Sequence, residues 1–491
     1  MPVKRGWVLA ATILGSTLGF LESSITNIAL PAMQQAFGAD AAEMQWVVNA
    51  YMLAFGALIL VGGAAGDRFG RRRVFGLGVV VFTAASVACG LAPGVALLLA
   101  ARAVQGLGAA LLVPSSLAIL TAAFPPERRG RAIGTWSGAS AIVTAGGPIL
   151  GGLLVDVVSW RAVFFVIVPV ALATLAVAER HVPESRAAGV AGPLDLPGAA
   201  LAIAGFGAVT FGLIERSPLV FAVGLLLLGA FLAVEARARA PMMPLWLFRS
   251  RVFAGANLLT FLLYGALGAA VFFLPFDLVQ VQGYSATATG AAFLPFALIV
   301  GVLSRWSGGL RDRYGARGPL VAGPAVSAVG FAGLAWPGIG GSYWTTFFLP
   351  MVVLGLGMAV TVAPLTAAVM GAQDEAHAGV ASGVNNAVAR LASLIVVALA
   401  GLLALAVFVP ALESRVASLG VPPDVARALL AEAPRLADAG PPDGVTGALR
   451  AALERAVDEA FVEAFRSVAG LCAAMSAGSA LVAARLVDAR R

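Results

Sequence analysis

Two side chains in this 491-residue chain stand where ionisable groups are expensive. Glu22 is set among Leu18, Gly19, Phe20, Leu21 and Ile25, and Arg102 follows Leu98 by four residues in an equally apolar run. A charge in hydrocarbon persists only if it is paired, hydrogen-bonded or wetted, so such residues mark ion pathways by default. A carboxyl group held away from bulk water is suited to reversible protonation. Glu22 therefore reads as a proton carrier, as the counter-ion of a cationic cargo, or as a structural carboxylate bonded to its neighbours. A guanidinium stays charged and offers five donors that need acceptors. Arg102 reads either as the group that tunes a nearby acid by approaching and withdrawing, or as a clamp on facing backbone carbonyls. A single acid in the membrane suits neutral or monocationic cargo. Asn27, Asn49, Gln105, Asn385 and Asn386 also lie in apolar segments, where they line a cavity or bond between helices. Asp156 and Asp277 are expected at the surface, and nothing in the sequence gives Arg390 a partner.

The elements that must position these groups are membrane helices. Hydrophobic residues make up 60% of the chain and charged ones 12%, against roughly 25% in soluble domains. So few charges cannot cover a water-soluble fold of this size, and lipid must be the solvent for much of the exterior. A spanning helix needs about 20 mainly apolar residues. Segments of that kind fall near 7–30, 45–65, 74–92, 96–122, 132–155, 161–179, 195–214, 218–235, 252–275, 287–309, 318–338, 343–370, 378–409 and 464–486. The fold class is an all-α polytopic membrane protein with fourteen spans. The first apolar stretch is too long for the core of a signal peptide and no A-x-A site follows it, so it is expected to be retained. Arginines cluster in alternate short loops, at 68–73, 128–131, 237–251 and 311–317, while the opposite loops hold little beyond Arg161 and Arg216. By the positive-inside bias both termini are cytoplasmic. The net charge of +7 is thereby spread between segments. A nucleic-acid partner would need it gathered in one patch.

The chain repeats itself. Gly63-x-x-x-Asp67-Arg68-Phe69-Gly70-x-Arg72 returns as Gly308-x-x-x-Asp312-Arg313-Tyr314-Gly315-x-Arg317, an offset of 245, and Gly106 and Gly108 return as Gly355 and Gly357, an offset of 249. Two six-helix halves are expected, residues 1–180 and 252–491, with an inserted helix pair in 181–251. Such halves place a binding site near the bilayer midplane. Glu22 and Arg102 map onto Leu267 and Met351, so the ionisable residues are peculiar to the first half while the glycines are shared architecture. The Asp67–Arg72 loop and its copy read as a charge-paired cytoplasmic latch formed by Gly63, Asp67, Arg68, Gly70, Arg72, Asp312 and Arg313, or as topogenic charge alone. Gly147-Pro148-Ile149-Leu150-Gly151-Gly152 has no copy. It reads as a bend and seal that set which side opens, or as an ordinary packing kink. Residues 410–463 break the pattern. Val445, Leu449, Leu453, Val457 and Phe461 recur every four residues, the stripe of an amphipathic periplasmic helix running into the last span. This region is expected to cap the outer face; recruitment of a partner protein is the alternative.

No H-E-x-x-H, G-x-S-x-G or Walker-type loop occurs, and His181 and His377 fall at loops, so enzyme and nucleotide-driven pump are both set aside. Cys89 and Cys472 lie in apolar stretches and read as packing residues; no metal site is expected.

Four of these motifs, in this order, resemble the fourteen-helix drug:proton antiporters of the major facilitator superfamily, and the likeness runs over essentially the whole length. Glu22-Ser23-Ser24-Ile25-Thr26-Asn27-Ile28-Ala29-Leu30-Pro31 resembles that family's first-helix motif, with Glu22 where Asp and Ser24 where Thr are usual. Gly63 to Arg73 resembles its loop motif, and Arg102-x-x-Gln105-Gly106 its proton-relay motif. Gly147-Pro148-x-x-Gly151-Gly152 resembles its antiporter motif, with Val143 where a glycine is usual. The resemblance implies the major facilitator fold and export of small amphipathic compounds in exchange for protons, with Glu22 and Arg102 in the coupling roles. It implies a proton gradient in place of any cofactor, and lipid as surroundings. A facilitator, or an exporter of lipids or metabolites with little or no coupling, is the alternative. A monomer is expected. The alanine- and arginine-rich usage, with Lys4 the only lysine, fits the inner (cytoplasmic) membrane of a bacterium of high genomic GC content.

Overall fold

The computed structural model describes residues 5–186, 194–239, 241–307, 315–372 and 378–487, and every regular element among them is helical. The longer helices, in chain order, are α1 Arg5–Phe37, α2 Ala41–Phe69, α3 Arg71–Leu91, α4 Val95–Ala123, α5 Pro126–Val157, α6 Ala162–His181, α7 Leu196–Ile214 and α8 Pro218–Arg237. There follow α9 Arg251–Phe276, α10 Ala286–Ala292, α11 Leu294–Ser307, α12 Arg317–Leu334, α13 Phe348–Gly371, α14 Ala378–Ser418, α15 Pro423–Ala431 and α16 Gly447–Leu486. Helices cross a membrane because they satisfy every backbone donor internally. Twelve stretches among the described residues are long and apolar enough to do so. Helices α5 and α12 pack beside them but are not among the twelve, against the fourteen spans expected from the sequence.

Local sequence sets the ends. Asp40 caps α2, accepting from Glu43 N at 2.8 Å while Glu43 accepts from Asp40 N at 3.0 Å. This reciprocal pair satisfies two donors that helix geometry leaves free. Gly70 makes the sharp turn from α2 to α3 at φ 115°, a conformation closed to side-chained residues.

The sequence repeat reappears as packing. A Cβ on Gly106 would meet the backbone of Tyr51, and one on Gly355 the backbone of Phe296, again 245 residues on. A Cβ on Gly108 would meet Phe82, and one on Gly357 would meet Ser327, separated by the same offset. These glycines let helix backbones touch where lipid supplies no hydrophobic drive for association. Between α2 and α4 the closest approach is made by Gly62, whose Cβ would overlap the Ala110 carbonyl. Gly63, singled out from the motif, has only ordinary contact with Pro114 at 3.6 Å.

Helix α7 packs on α8 and, on its other side, against α2 and α14. An apolar cavity of about 220 Å³ lies among them, lined by residues such as Ala57, Leu60, Phe206, Phe231, Met243 and Leu391.

At the end that the charge pattern places outside, the polypeptide forms a hairpin. Helix α14 has 41 residues and continues through Pro410 to Ser418; α16 has 40 and begins at Gly447. Leu453, Val457 and Phe461 of the expected stripe are buried, and Arg415 of α14 bonds Glu463 of α16 at 3.0 Å. The region 410–463 is thus mostly helical. Asp277 departs from expectation. It is buried, 2% exposed, because the π turn that begins with it packs on α16 and on the 3-10 turn Ala433–Asp438, which cover it. Gln282 Nε2 donates to its Oδ2 at 3.4 Å. Asp156 is exposed, as expected.

Candidate functional site

Glu22 and Arg102 are brought together. Glu22 is one residue past the midpoint of α1 and Arg102 lies in the second turn of α4, and both are buried to within 1%. Arg102 Nη1 donates to Glu22 Oε1 at 2.5 Å and to Gln105 Oε1 at 2.6 Å, and its Nε donates to the Val47 carbonyl at 2.9 Å. Thr26 Oγ1 donates to the same carboxylate oxygen at 2.7 Å. Gln105 Nε2 passes the network on to Ser86 Oγ at 2.7 Å, which donates to the Phe82 carbonyl at 2.8 Å. The Tyr51 ring lies 4.6 Å from the guanidinium carbon. Three helices, α1, α2 and α4, thus close around one ion pair, with α3 behind it. Glu22 Oε2 is buried and makes no hydrogen bond.

A buried pair of this kind is stable only when the leftover donors and acceptors are also met. Here the guanidinium is well supplied and the carboxylate is served on one oxygen. The vacant oxygen is an open position for a proton.

The Gly147–Gly152 segment of α5 lies beside this pair and faces two ways. A Cβ on Gly147 would meet Ser24 Oγ, and one on Gly151 would meet the Ile25 backbone, both on α1. A Cβ on Gly152 would overlap the Ala286 carbonyl, and one on Gly290 the Pro148 carbonyl, so α5 and α10 touch backbone to backbone. At the outer end Asp156 caps α10, accepting from Ala286 N at 3.1 Å and Thr287 N at 2.8 Å. Gln34 of α1 donates to the Arg435 carbonyl at 3.0 Å and accepts from Gln280 at 3.1 Å. The outer ends of residues 5–157 and 280–435 are therefore fastened at two places.

Residues 12–397 match the sequence pattern of the Major Facilitator Superfamily. The chain belongs to that superfamily. The Multidrug resistance protein Stp of Mycobacterium tuberculosis (strain CDC 1551 / Oshkosh) is 37% identical over 86% of this chain and 80% of its own. The Tetracenomycin C resistance and export protein of Streptomyces glaucescens is 35% identical over 81% and 76%. The Cephamycin export protein CmcT of Amycolatopsis lactamdurans is 37% identical over 78% and 82%. Among solved structures, a bacterial homologue of the human lysosomal transporter Spinster, in an inward-facing and unoccupied conformation, has a TM-score of 0.68 at 18% identity, covering 99% of this chain and 98% of that one. The protein is a multi-pass membrane transporter of this superfamily.

The other residues read from the sequence are distributed unevenly through this major facilitator chain. Asp67 pairs with Arg71, at 2.7 Å, four residues on along the helix turn. The Arg68 guanidinium lies over the Phe69 ring, 5.6 Å from its centroid. Arg72 donates from Nη1 to the Val182 carbonyl at 3.2 Å, and its backbone N donates to Glu184 at 3.0 Å. Gly70 packs on the Glu184 carboxylate. Among the described residues these loop contacts stay within residues 66–185, and Gly308, Asp312 and Arg313 lie outside the described residues, as does His377. Asn27 donates to the Ser23 carbonyl at 2.9 Å and the exposed Asn386 to the Ser382 carbonyl at 3.0 Å. Asn385 bonds between helices, to Asn257 at 3.1 Å and Thr260 at 2.7 Å. Asn49 is fully buried with both amide atoms unpartnered. Sequence reasoning did not find Thr26, Ser86, Arg71 or Glu184. Spacing of four flags Thr26 after Glu22 and Arg71 after Asp67; Glu184 carries no local signal.

Proposed function

We propose that this transporter is a proton-coupled antiporter that exports hydrophobic or amphipathic compounds across the bacterial inner (cytoplasmic) membrane by alternating access. In this reading the chain spans fourteen times, keeps both termini in the cytoplasm, works as a monomer and needs no cofactor beyond the proton gradient. The observation that carries it is the enclosed Glu22–Arg102–Gln105 network with its vacant carboxylate oxygen. While Arg102 holds Glu22, the pair is neutral as a whole. When a conformational change draws the guanidinium towards Gln105 and the Val47 carbonyl, an isolated buried carboxylate remains, and such a group neutralises itself by taking a proton. Return of Arg102 expels the proton. Proton binding thereby favours one conformer over the other, which is the differential affinity that coupling requires. The backbone contact between α5 and α10 closes the outer side while this happens, and the exporter names of the relatives supply the direction of transport.

The test is proton movement in sealed proteoliposomes with an interior pH dye. Cationic, neutral and anionic amphiphiles are added under an imposed pH gradient to wild type and Glu22→Gln. Cargo-triggered proton release in the wild type, lost in the variant while cargo still equilibrates down its own gradient, is expected. Cargo flux indifferent both to the gradient and to the substitution would leave a facilitator or lipid carrier on the same fold.

A further inference from the structure

A second guanidinium lies at the centre of the bundle and has no use in the scheme above. Arg390 is twelve residues into α14, about 18 Å from its start, and its guanidinium carbon sits 4.9 Å from the ring of Phe55, the midpoint residue of α2. The approach is close, since a Cβ on Gly56 would come within 3.1 Å of Arg390 Cβ. The titratable groups that act on it are the phenols of Tyr51 on α2 and Tyr264 on α9, neither of them a carboxylate. Among the described residues it makes no ion pair and no hydrogen bond, although it is mostly buried. The contrast with Arg102 is sharp: that guanidinium has the Glu22 carboxylate, the Gln105 amide and a carbonyl.

The charge count at mid-depth follows. Glu22 is cancelled by Arg102, so the uncompensated charge between α2, α9 and α14 is the positive one on Arg390. Its neighbours are aromatic rings, Phe55 and Tyr51, 5.7 Å apart, and they separate it from Arg102. A cation with all its donors free, beside flat apolar faces, is built to receive an acidic group attached to a hydrophobic or aromatic body. We infer that Arg390 is a cargo-recognition residue, and that the compounds this transporter prefers carry a carboxylate or similarly acidic group. The inference rests on the efflux reading for its setting and replaces the neutral or monocationic cargo expected from a lone acid.

The test compares pyrenebutyrate, its methyl ester and pyrenebutylammonium, which share a ring system and chain. Binding to the purified transporter is read by energy transfer from its tryptophans, for wild type, Arg390→Gln and Arg390→Lys, each checked for a monodisperse elution profile. Wild type is expected to bind the carboxylate at least tenfold tighter than the ester or the ammonium. Arg390→Gln loses that margin without weakening the ammonium, and Arg390→Lys retains part of it. Should Arg390→Gln fail to fold, the wild-type comparison of acid with ester still decides. Equal binding of acid and ester, a preference for the ammonium, or equal losses for all three probes in Arg390→Gln would overturn the inference and leave Arg390 a packing contact. Gradient-driven export of the ammonium without preference for the acid sinks this inference alone. A clear preference for the acid with no gradient-driven transport upholds it and sinks the coupling mechanism.

Discussion

At the scale of residues, the Glu22–Arg102 pair behaves as one unit because neither member has water to fall back on. Arg102→Met leaves a buried carboxylate with Thr26 alone beside it, and breaking such pairs typically costs about 3–5 kcal/mol. A lowered thermal midpoint in detergent is expected, with Glu22→Gln/Arg102→Met together melting higher than Arg102→Met alone. A double variant less stable than Arg102→Met would show that the two side chains act independently. Both charged members were legible in the sequence because charge in an apolar run is rare. Thr26 and Ser86 were not, since hydroxyls are common in membrane helices and usually bond back to their own helix, as Ser23 does to the Gly19 carbonyl. The loop was legible as a charged turn but not in its pairing. The motif points at Arg68 and Arg72, whereas helix geometry gives Asp67 to Arg71.

At the scale of elements, helix contacts rest on glycines whose neighbours leave no room for a methyl group. Gly62 and Gly63 make a controlled comparison on one helix. Gly62→Ala drives a methyl into the Ala110 carbonyl and should cost about 1–3 kcal/mol, with a matching fall in folded yield. Gly63→Ala meets only Pro114 and should be neutral or stabilising by up to about 1 kcal/mol through helix propensity. Thermal melts of the two variants in one detergent separate the cases, and equal losses would show that the α2–α4 distance differs from the one described. The motif alone pointed to Gly63. The repeat showed which glycines recur; only the packing shows which of them carry backbone contact.

On the scale of the whole molecule, the described contacts between early and late parts of the chain include an outer set that no sequence pattern announced. Asp156 with α10, and Gln34 with Arg435 and Gln280, join residues more than a hundred positions apart. Hydrophobic runs and arginine placement give the spans, because lipid permits only a simple code. They are silent about which polar side chains meet across the seam. Gln34→Ala removes both bonds made by that side chain and leaves the core network untouched. It should shift the protein towards conformers open at the outer face, read as longer distances between spin labels near residues 157 and 285. An unchanged distance distribution would confine the closure to the α5–α10 contact.

The long hairpin has a mechanical corollary. Residues 447–463 extend α16 by about 25 Å beyond its expected span, as one unbroken rod with the membrane-embedded turns. A tilt of about 10° inside the bilayer would swing the far end of such an arm by about 4 Å. The arm therefore works as a pointer on a dial. A single fluorophore near its tip would translate the hidden rocking of a transporter into a displacement visible from the aqueous side, one molecule at a time.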